Sequence, residues 1–269
     1  MPRPYCKKNL SGLMMTEDTK IGGASGKFPA TRWSAVLAAR SDDPAERSRA
    51  AEAIAAAYWK PVYKYLRIRW GKSNEDAKDL TQDFFAKLFE KGYLDDFDPA
   101  KARLRTFLRI CADRFAANDA KAGRRMKRGG GALHVPLDFD AAEAELERAS
   151  PALQISATPE SAEDFIEKEF IRSLFGATVE ELRKQCESRG KQTHFRLFEI
   201  YDLEADSARP PSYGELAKEF KIAPTDVTNY LSSTRREFRR IALEKLREMT
   251  ATEEEFRREA RALLGVEPE

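Results

Sequence analysis

The chain has 269 residues, of which 42% are hydrophobic and 34% charged, and its formal net charge is only +2. This length suits one large or two small domains, and the composition is typical of helical domains with real hydrophobic cores. Three widely spaced cysteines and two histidines, without a CxxC pair, exclude a disulfide framework and a zinc site. No apolar run reaches the roughly 20 residues that span a bilayer. We therefore expect a cytoplasmic protein with reduced thiols, no metal, no cofactor and no membrane anchor.

The amino-terminal part of the chain divides into a tail and several helices. Residues 1–27 lack hydrophobic periodicity, so we predict a disordered tail in which Met14 or Met15 is a candidate start. Thr31 is the expected cap of a first ordered helix. A long helix is predicted from Ala50 to Trp70, and Pro61 should kink or break it. EDAKDLTQDFFAKLFEKG then predicts a helix with a broad apolar face and an acidic polar face.

The stretch from Ala102 to Arg128 combines an apolar stripe with strong positive charge. From Lys101 to Arg128 ten Lys or Arg stand against two Asp, a net charge of +8. A helix anchored on one side and basic elsewhere is typical of a phosphate-binding surface, and a solvated basic helix is the plainer alternative. GRRMKRGGG ends the helix, since three glycines cannot continue it cheaply. The apolar stripe recurs at helical spacing and comprises Leu104, Phe107, Leu108, Cys111, Ala112 and Phe115.

An acidic segment follows. Residues 132–160 contain three prolines and little periodicity, which predicts an interdomain linker. From Leu137 to Glu169 ten acids stand against two bases, a net charge of −8. Our hypothesis is that this segment lies against basic surface in the free protein. Helical periodicity then returns from Ser161 to Ser188.

The segment SYGELAKEFKIAPTDVTNYLSSTRREFRR fits the spacing of a helix-turn-helix. Ser212 followed three residues later by Glu215 predicts a capping box, and Pro224 suits the first turn of the second helix. Lys221 falls where the turn usually has glycine, so we expect a left-handed residue strained by about 1 kcal/mol. Two packed core helices with a polar surface are the alternative. Side chains that can reach base edges or phosphates follow: Thr225, Asp226, Thr228, Asn229, Ser232, Ser233, Arg235, Arg236, Arg239 and Arg240.

No segment has convincing strand periodicity, so the predicted fold class is all-α, with two small helical domains joined by the acidic linker. The predicted boundaries are a tail at 1–27, a helical domain at 28–131, the linker at 132–160, a helix-turn-helix domain at 161–250 and a carboxy-terminal helical extension at 251–269.

Together these segments resemble bacterial sigma factors of the extracytoplasmic-function type, in the subset with long linkers, over roughly residues 28–250. EDAKDLTQDFFAKLF resembles the family's helix that docks on the clamp coiled coil of core RNA polymerase. RLRTFLRICADRFAANDAKAGRR resembles the segment that melts and reads the minus-ten element, and PPSYGELAKEFKIAPTDVTNYLSSTRREFRR is similar to the reader of the minus-thirty-five element. The resemblance implies a region-2-like bundle and a region-4-like helix-turn-helix domain.

By this resemblance the protein is a sigma factor that binds core RNA polymerase and promoter DNA, with an anti-sigma factor as a further candidate partner. The implied polymerase-binding residues are Asp79, Leu80, Gln82, Asp83, Phe85 and Leu88. The implied minus-ten residues are Phe97, Arg103, Arg105, Phe107, Arg109, Arg114, Asn118, Lys121, Arg124 and Arg125. The implied minus-thirty-five residues are Thr225, Thr228, Asn229, Ser232, Ser233, Arg235 and Arg236. Phe97 and Phe107 are candidates to stack on an unpaired base, with core packing as the alternative.

Some positions depart from the family pattern, and they leave the promoter sequence undetermined. Arg114 and Asn118 stand where the melting helix commonly carries Asn and then Asp, and Phe107 replaces the usual Trp. In the reader helix, Thr228 and Asn229 stand where Lys and Ser are frequent.

A second hypothesis for the acidic segment is that it occupies a nucleic-acid path within polymerase.

Two other functions compete with this interpretation. An autonomous helix-turn-helix regulator explains residues 200–250 but leaves the DLTQDFFAKLF face without a purpose. A sigma-like regulatory protein would use the acidic linker and last helix to bind a partner. An enzyme is least favoured, because the sequence offers no nucleophile–His–acid set, phosphate loop or metal cluster, and we expect no small-molecule substrate.

Overall fold

In the computed structural model, the residues described are 35–122, 137–148, 159–204, 211–250 and 252–268, and each regular element among them is a helix. The all-α prediction is confirmed for this part of the chain. A 3₁₀ turn at Tyr93–Asp96 and a π-helical turn at Glu199–Leu203 accompany the α-helices. The α-helices are α1 Ala35–Ala38, α2 Pro44–Arg69, α3 Asn74–Glu90, α4 Leu104–Ala122, α5 Phe139–Arg148, α6 Pro159–Ser188, α7 Gln192–Phe198, α8 Tyr213–Phe220, α9 Pro224–Glu248 and α10 Glu253–Leu264.

The predicted tail at 1–27, its Thr31 cap, and Arg124 and Arg125 lie outside the described residues, and Lys121 is described only by its backbone. The described residues group into two compact units. The amino-terminal unit holds those within 35–174 and 247–256, and the carboxy-terminal unit holds those within 175–246 and 257–268.

Short polar side chains start the first long helices. The Asp43 carboxylate accepts a hydrogen bond from the Ala45 N–H at 2.9 Å, and Pro44 occupies the first turn of α2. Ser73 Oγ accepts from the Asp76 N–H at 3.1 Å at the start of α3. Pro61 lies inside α2, but the helix continues past it to Arg69, so the predicted break is wrong. Because Pro61 is buried in the core, packing offsets the lost backbone hydrogen bond.

The core of the amino-terminal unit forms where α2, α3 and α4 meet. Periodicity placed the apolar side chains of each helix on one face, and burial of each large one stabilises the unit by about 1.5–3 kcal/mol. Gly92 follows α3 with φ +63°, and a Cβ there would lie 2.7 Å from Asp95 Oδ2. Fully buried apolar and aromatic side chains on these three helices include Ile54, Tyr58, Tyr63, Tyr65, Leu66, Phe84, Phe85, Leu88, Leu104 and Leu108.

The predicted linker contains a helix that belongs to the amino-terminal unit. Phe139, at the start of α5, packs edge-on against the rings of Trp59 and Tyr63, each with centroids 5.1 Å away. The first half of α6 joins the same unit, because Phe165 and Ile166 pack against Tyr65 of α2. The boundaries expected at 131 and 160 therefore differ from the observed division, which lies within α6.

Aromatic packing dominates the core of the carboxy-terminal unit. Phe238 of α9 stacks on Phe175 of α6 with a centroid distance of 5.9 Å and lies 5.4 Å from Phe198 of α7. Leu216 of α8 and Val227 of α9 are also fully buried. This core fixes α9 with one face against α6 and α7 and the other outward. None of the described helices combines the length and apolar character that crossing a membrane requires.

Candidate nucleic-acid and partner interfaces

A short turn joins α8 and α9, in the order of helix, turn and helix that the sequence predicted. Ser212 Oγ accepts from the Glu215 N–H at 3.2 Å, and Glu215 accepts from the Ser212 N–H at 2.7 Å, so the capping box is confirmed. Lys221 adopts φ 54° and ψ 44°, which confirms the strained left-handed position. Pro224 is the first residue of α9. Local interactions therefore define both ends of the turn: Lys221 ends α8 in a left-handed conformation, and Pro224 begins α9.

The outward face of α9 is a neutral polar stripe that ends in an arginine. Its members are spaced i, i+3, i+4, i+7 and i+11, which places them on one side of the helix. The opposite side is buried through Val227, Leu231 and Phe238, while Ser233 lies between the two sides and is half-buried. A stripe of this kind can donate to and accept from base edges. Its exposed residues are Thr225, Thr228, Asn229, Ser232 and Arg236.

Arg235 takes a structural position instead of the expected phosphate contact. Its Nε lies 3.1 Å from Asp202 Oδ2 and its Nη2 lies 2.9 Å from Asp202 Oδ1. The Tyr201 ring packs against the same guanidinium, 5.5 Å from its centroid. Burial would lower the pKa of Arg235, but the Asp202 carboxylate outweighs it and raises the pKa above its usual value. Arg240 is similarly paired with Glu237.

The polar face of α3 is exposed, while its apolar face is in the core. Asp79 and Gln82 are exposed and Asp83 is half-buried, so the face expected to bind polymerase is accessible. Burial raises the pKa of Asp83, and the nearby Lys87 opposes that rise. Phe85 and Leu88, which the resemblance assigns to the polymerase-binding face, are instead fully buried.

Phe85 and Leu88 are buried because α3 packs on α2 and α4. Phe84, Phe85 and Leu88 share the stripe that faces α2 and α4, and Leu80 is 5% exposed on the same stripe. These side chains hold the helix in place and cannot contact a partner directly in this conformation. The accessible part of the predicted dock is thus its acidic and amide side chains.

Two arginines of α4 that were expected to hold phosphates are instead paired with α6. Arg105 Nε lies 2.5 Å from Glu167 Oε2 and its Nη2 lies 2.9 Å from Glu167 Oε1. Arg109 Nε lies 2.9 Å from Glu163 Oε2. Glu163 and Glu167 are one helical turn apart, so a single face of α6 neutralises both arginines. Arg103 adds a longer contact to Glu167, at 3.4 Å.

Further side chains close this face of α4. The Arg105 guanidinium lies 4.5 Å from the Phe170 ring centroid. Asp113 accepts hydrogen bonds from Tyr65 Oη at 3.0 Å and from Trp70 Nε1 at 3.0 Å. Burial, reinforced by the Asp113 carboxylate, raises the pKa of Tyr65 to about 12. The face is a closed polar network within the amino-terminal unit.

The outer face of α4 carries a different set of the predicted residues. Arg114 and Asn118 are exposed, and Phe107 is half-buried. These three are spaced i, i+7 and i+11 and therefore share one side of the helix. Phe97 is only 4% exposed and packs against Phe107 at 5.2 Å, which favours core packing for Phe97. The outer face of α4 is thus the part of this helix that a nucleic acid can reach.

The sequence describes the acidic segment only by its net negative charge, and the structure shows which of its acids form ion pairs. The prediction that it lies against basic surface is confirmed for Glu143, Glu145, Glu163, Glu167 and Glu169, each of which forms an ion pair. The basic residues of α2 that pair with these acids are Lys60, Lys64 and Arg67. They were not predicted, because this helix was identified from its apolar stripe alone. Their spacing of four and three residues was the available signal.

Among the described residues, no three His, Cys, Asp or Glu side chains come together in a group that could hold a metal ion. Comparison of the chain with protein-family models, curated proteins and solved structures finds no match.

Proposed function

We propose that this chain is a transcription initiation factor of the sigma type, which binds core RNA polymerase and directs it to promoter DNA in the cytoplasm. The observation that carries the proposal is the helix-turn-helix of α8 and α9. Its capping box and left-handed Lys221 set the turn, and α9 projects an exposed stripe that includes Thr225, Asn229 and Arg236. Such a helix is suited to the major groove, where short polar side chains read base edges.

The amino-terminal unit supplies the two other surfaces that this function needs. The acidic face of α3, with Asp79, Gln82 and Asp83, is accessible on a preformed helix and suits a basic or polar partner surface. The outer face of α4, with Arg114 and Asn118, is the accessible basic-polar surface for a displaced DNA strand. The resemblance of both helices to sigma-factor segments supports this division of roles, which requires no catalytic residue.

Co-elution with bacterial core RNA polymerase tests the proposal. The full chain and core polymerase would be mixed and separated by size, and the complex would be assayed for transcription from a pool of promoter fragments. We expect a stable complex that initiates at a subset of the fragments. A chain that binds promoter fragments alone but never elutes with polymerase would contradict the proposal.

One observation favours a second candidate, an autonomous helix-turn-helix regulator. Arg105 and Arg109 are paired with Glu167 and Glu163, which leaves α4 less basic than its sequence suggests. A protein that never melts DNA has no need of a phosphate-binding α4. Tight, sequence-specific binding to duplex DNA in the absence of polymerase would favour this candidate.

A further inference from the structure

A basic stripe runs along the second half of α2. Lys60, Lys64 and Arg67 follow each other at four and three residues, so their side chains lie on one face of the helix. At 1.5 Å per residue the stripe is about 10 Å long. Three cations within this length of one helix face form a surface that the backbone of a single strand can follow.

In this structure α5 covers the stripe with two carboxylates. Glu145 bridges two lysines, with Oε1 2.8 Å from Lys60 Nζ and Oε2 2.7 Å from Lys64 Nζ. Glu143 Oε1 lies 2.6 Å from Arg67 Nη2, and its Oε2 accepts a hydrogen bond from Tyr63 Oη at 2.6 Å. Burial alone would raise the pKa of Glu145, but Lys64 and Lys60 hold it below its usual value. The two carboxylates thus stand where anionic groups are favoured.

The apolar anchor of α5 is small compared with that of its neighbour α6. Phe139 is the one large apolar side chain of α5 that is buried, accompanied by Ala142. The first half of α6 is held far more firmly in the amino-terminal unit. Its buried apolar side chains there are Ala162, Phe165, Ile166, Phe170 and Leu174. A competitor can therefore displace α5 while α6 stays in place.

Displacement of α5 leaves the basic stripe at little electrostatic cost. Lys64 lies 2.8 Å from the buried carboxylate of Glu169, on α6, so it keeps a counter-charge when Glu145 leaves. Lys60 and Arg67 are already 26% and 30% exposed. Arg67 Nη1 also donates a hydrogen bond to the Lys72 carbonyl at 2.8 Å, and this bond does not depend on α5. Removal of α5 creates no isolated buried charge, which would have made the open state costly.

We propose that α5 is a removable cover, and that a single-stranded nucleic acid displaces Glu143 and Glu145 from Lys60, Lys64 and Arg67. Lys60 and Arg67 then hold phosphates of the displaced strand, while Lys64 keeps its ion pair with Glu169. The proposal rests on the proposed function in one respect, that the strand comes from an opened promoter. A nucleic acid is favoured over an acidic protein because the same unit also exposes Arg114 and Asn118 on α4.

The experiment measures binding of a fluorescein-labelled oligodeoxynucleotide of mixed sequence to the full chain by fluorescence anisotropy. Glu143→Gln with Glu145→Gln removes the ion pairs, and Phe139→Ala removes the apolar anchor without changing any charge. Both variants raise the population of the uncovered stripe, so we expect each to bind roughly fivefold more tightly than the wild type. Glu147→Gln is the matched control, because Glu147 is an exposed residue of the same helix.

Lys60→Gln with Arg67→Gln, placed in the Glu143→Gln and Glu145→Gln background, should remove the gain. Hydrogen exchange provides a second measurement, since the amides of 139–148 should exchange faster in the wild type when the oligonucleotide is added. Circular dichroism establishes that each variant is folded, and if Phe139→Ala is not, the Gln pair and the exchange data decide alone.

Three results would overturn the proposal. In the first, the folded cover variants do not bind more tightly. In the second, Glu147→Gln has the same effect as the Gln pair while Phe139→Ala has none, which would indicate net charge alone. In the third, polyglutamate releases α5 and the oligonucleotide does not, which would identify an acidic protein as the partner. Failure of the proposed function would show separately, as absence of co-elution with core polymerase while the oligonucleotide still releases α5.

Discussion

Arg105 and Glu167 form a two-point ion pair in which the arginine side chain is only 1% exposed. The pair joins α4 to α6 within the amino-terminal unit, and the Phe170 ring packs against the guanidinium from the α6 side. Arg105 cannot meet a phosphate while α6 is in place. The net charge of α4 therefore overstates the charge that a nucleic acid would encounter, and the contribution of each arginine depends on its face.

Replacing Glu167 by Gln should destabilise the amino-terminal unit. The change removes the Glu167 charge from the buried guanidinium, although the Gln amide oxygen can still accept one hydrogen bond. Because Glu167 is 31% exposed, we expect a loss of about 2 kcal/mol, below the ~3–5 kcal/mol typical of a fully buried pair. Urea unfolding followed by circular dichroism measures it. Asp164→Asn, an exposed acid on the same helix, is the control and should change the free energy of unfolding by less than about 0.5 kcal/mol. Equal effects of the two changes would contradict the structural role of the pair.

The two faces of α4 should separate in a salt titration of single-stranded DNA binding. Arg114→Ala removes an exposed cation, so we expect weaker binding and a salt slope reduced by roughly 0.7. Arg109→Ala removes a cation already paired with Glu163 and Asp113, so we expect lower stability and an unchanged slope. If Arg109→Ala lowered the slope as much as Arg114→Ala, the α6 pairing would not persist in the DNA-bound state.

Sequence reasoning predicted the elements and several local details well. The capping box at Ser212 and the left-handed Lys221 follow from rules that act within four or five residues. The net charge of −8 from Leu137 to Glu169 also led to the hypothesis that this segment lies against basic surface. Such features depend on neighbours along the chain or on bulk charge, both of which one sequence displays.

The details that the structure places differently depend on tertiary contacts. Phe85 and Leu88 lie on the apolar stripe of α3, and periodicity alone favoured burial, but the family resemblance placed them in the polymerase dock. Arg105 and Arg235 were interpreted as phosphate contacts because a sequence does not say which acid folds against which base. Residues 139–148 were predicted as linker because one Phe and a few Ala give too weak a pattern to distinguish a docked helix.

Charge reversal at Asp83 tests the dock on α3. Asp83→Lys changes a half-buried acid on the exposed polar face, so we expect weaker binding to core polymerase with the helix content retained. The expected loss is roughly tenfold, comparable to removing one favourable charge contact and adding a repulsive one. Glu90→Lys, an exposed acid at the end of the same helix, is the matched control. A polymerase affinity unchanged by Asp83→Lys in a quantitative binding assay would remove α3 from the interface.

Lys221→Gly should stabilise the carboxy-terminal unit. Lys221 has φ 54°, a conformation that costs a residue with a Cβ about 1 kcal/mol more than glycine. The gain should appear as a higher free energy of unfolding. Lys218→Gly introduces the same residue three positions earlier, in the regular part of α8, where it should destabilise by about 0.5–1 kcal/mol. The two substitutions should change the free energy of unfolding in opposite directions. A destabilised Lys221→Gly variant would show that Lys221 is not strained.

The exposed stripe of α9 should divide into base contacts and a phosphate contact. Asn229 is a short amide in the second turn of the helix, and an amide can pair with the adenine edge in the major groove. Asn229→Ala should therefore relax the preference at one base position by ~1–3 kcal/mol and leave the salt slope unchanged. Arg236 lies two turns further on, so Arg236→Ala should weaken binding to all sequences and reduce the slope by roughly 0.9. Both variants would be titrated, as complexes with core polymerase, against promoter fragments that differ at single positions, at several salt concentrations. Val227 and Leu231 hold the stripe from the buried side, and neither substitution touches them, so the helix should stay folded in both variants. A change in salt slope for Asn229→Ala without a change in base preference, or the reverse for Arg236→Ala, would refute this assignment.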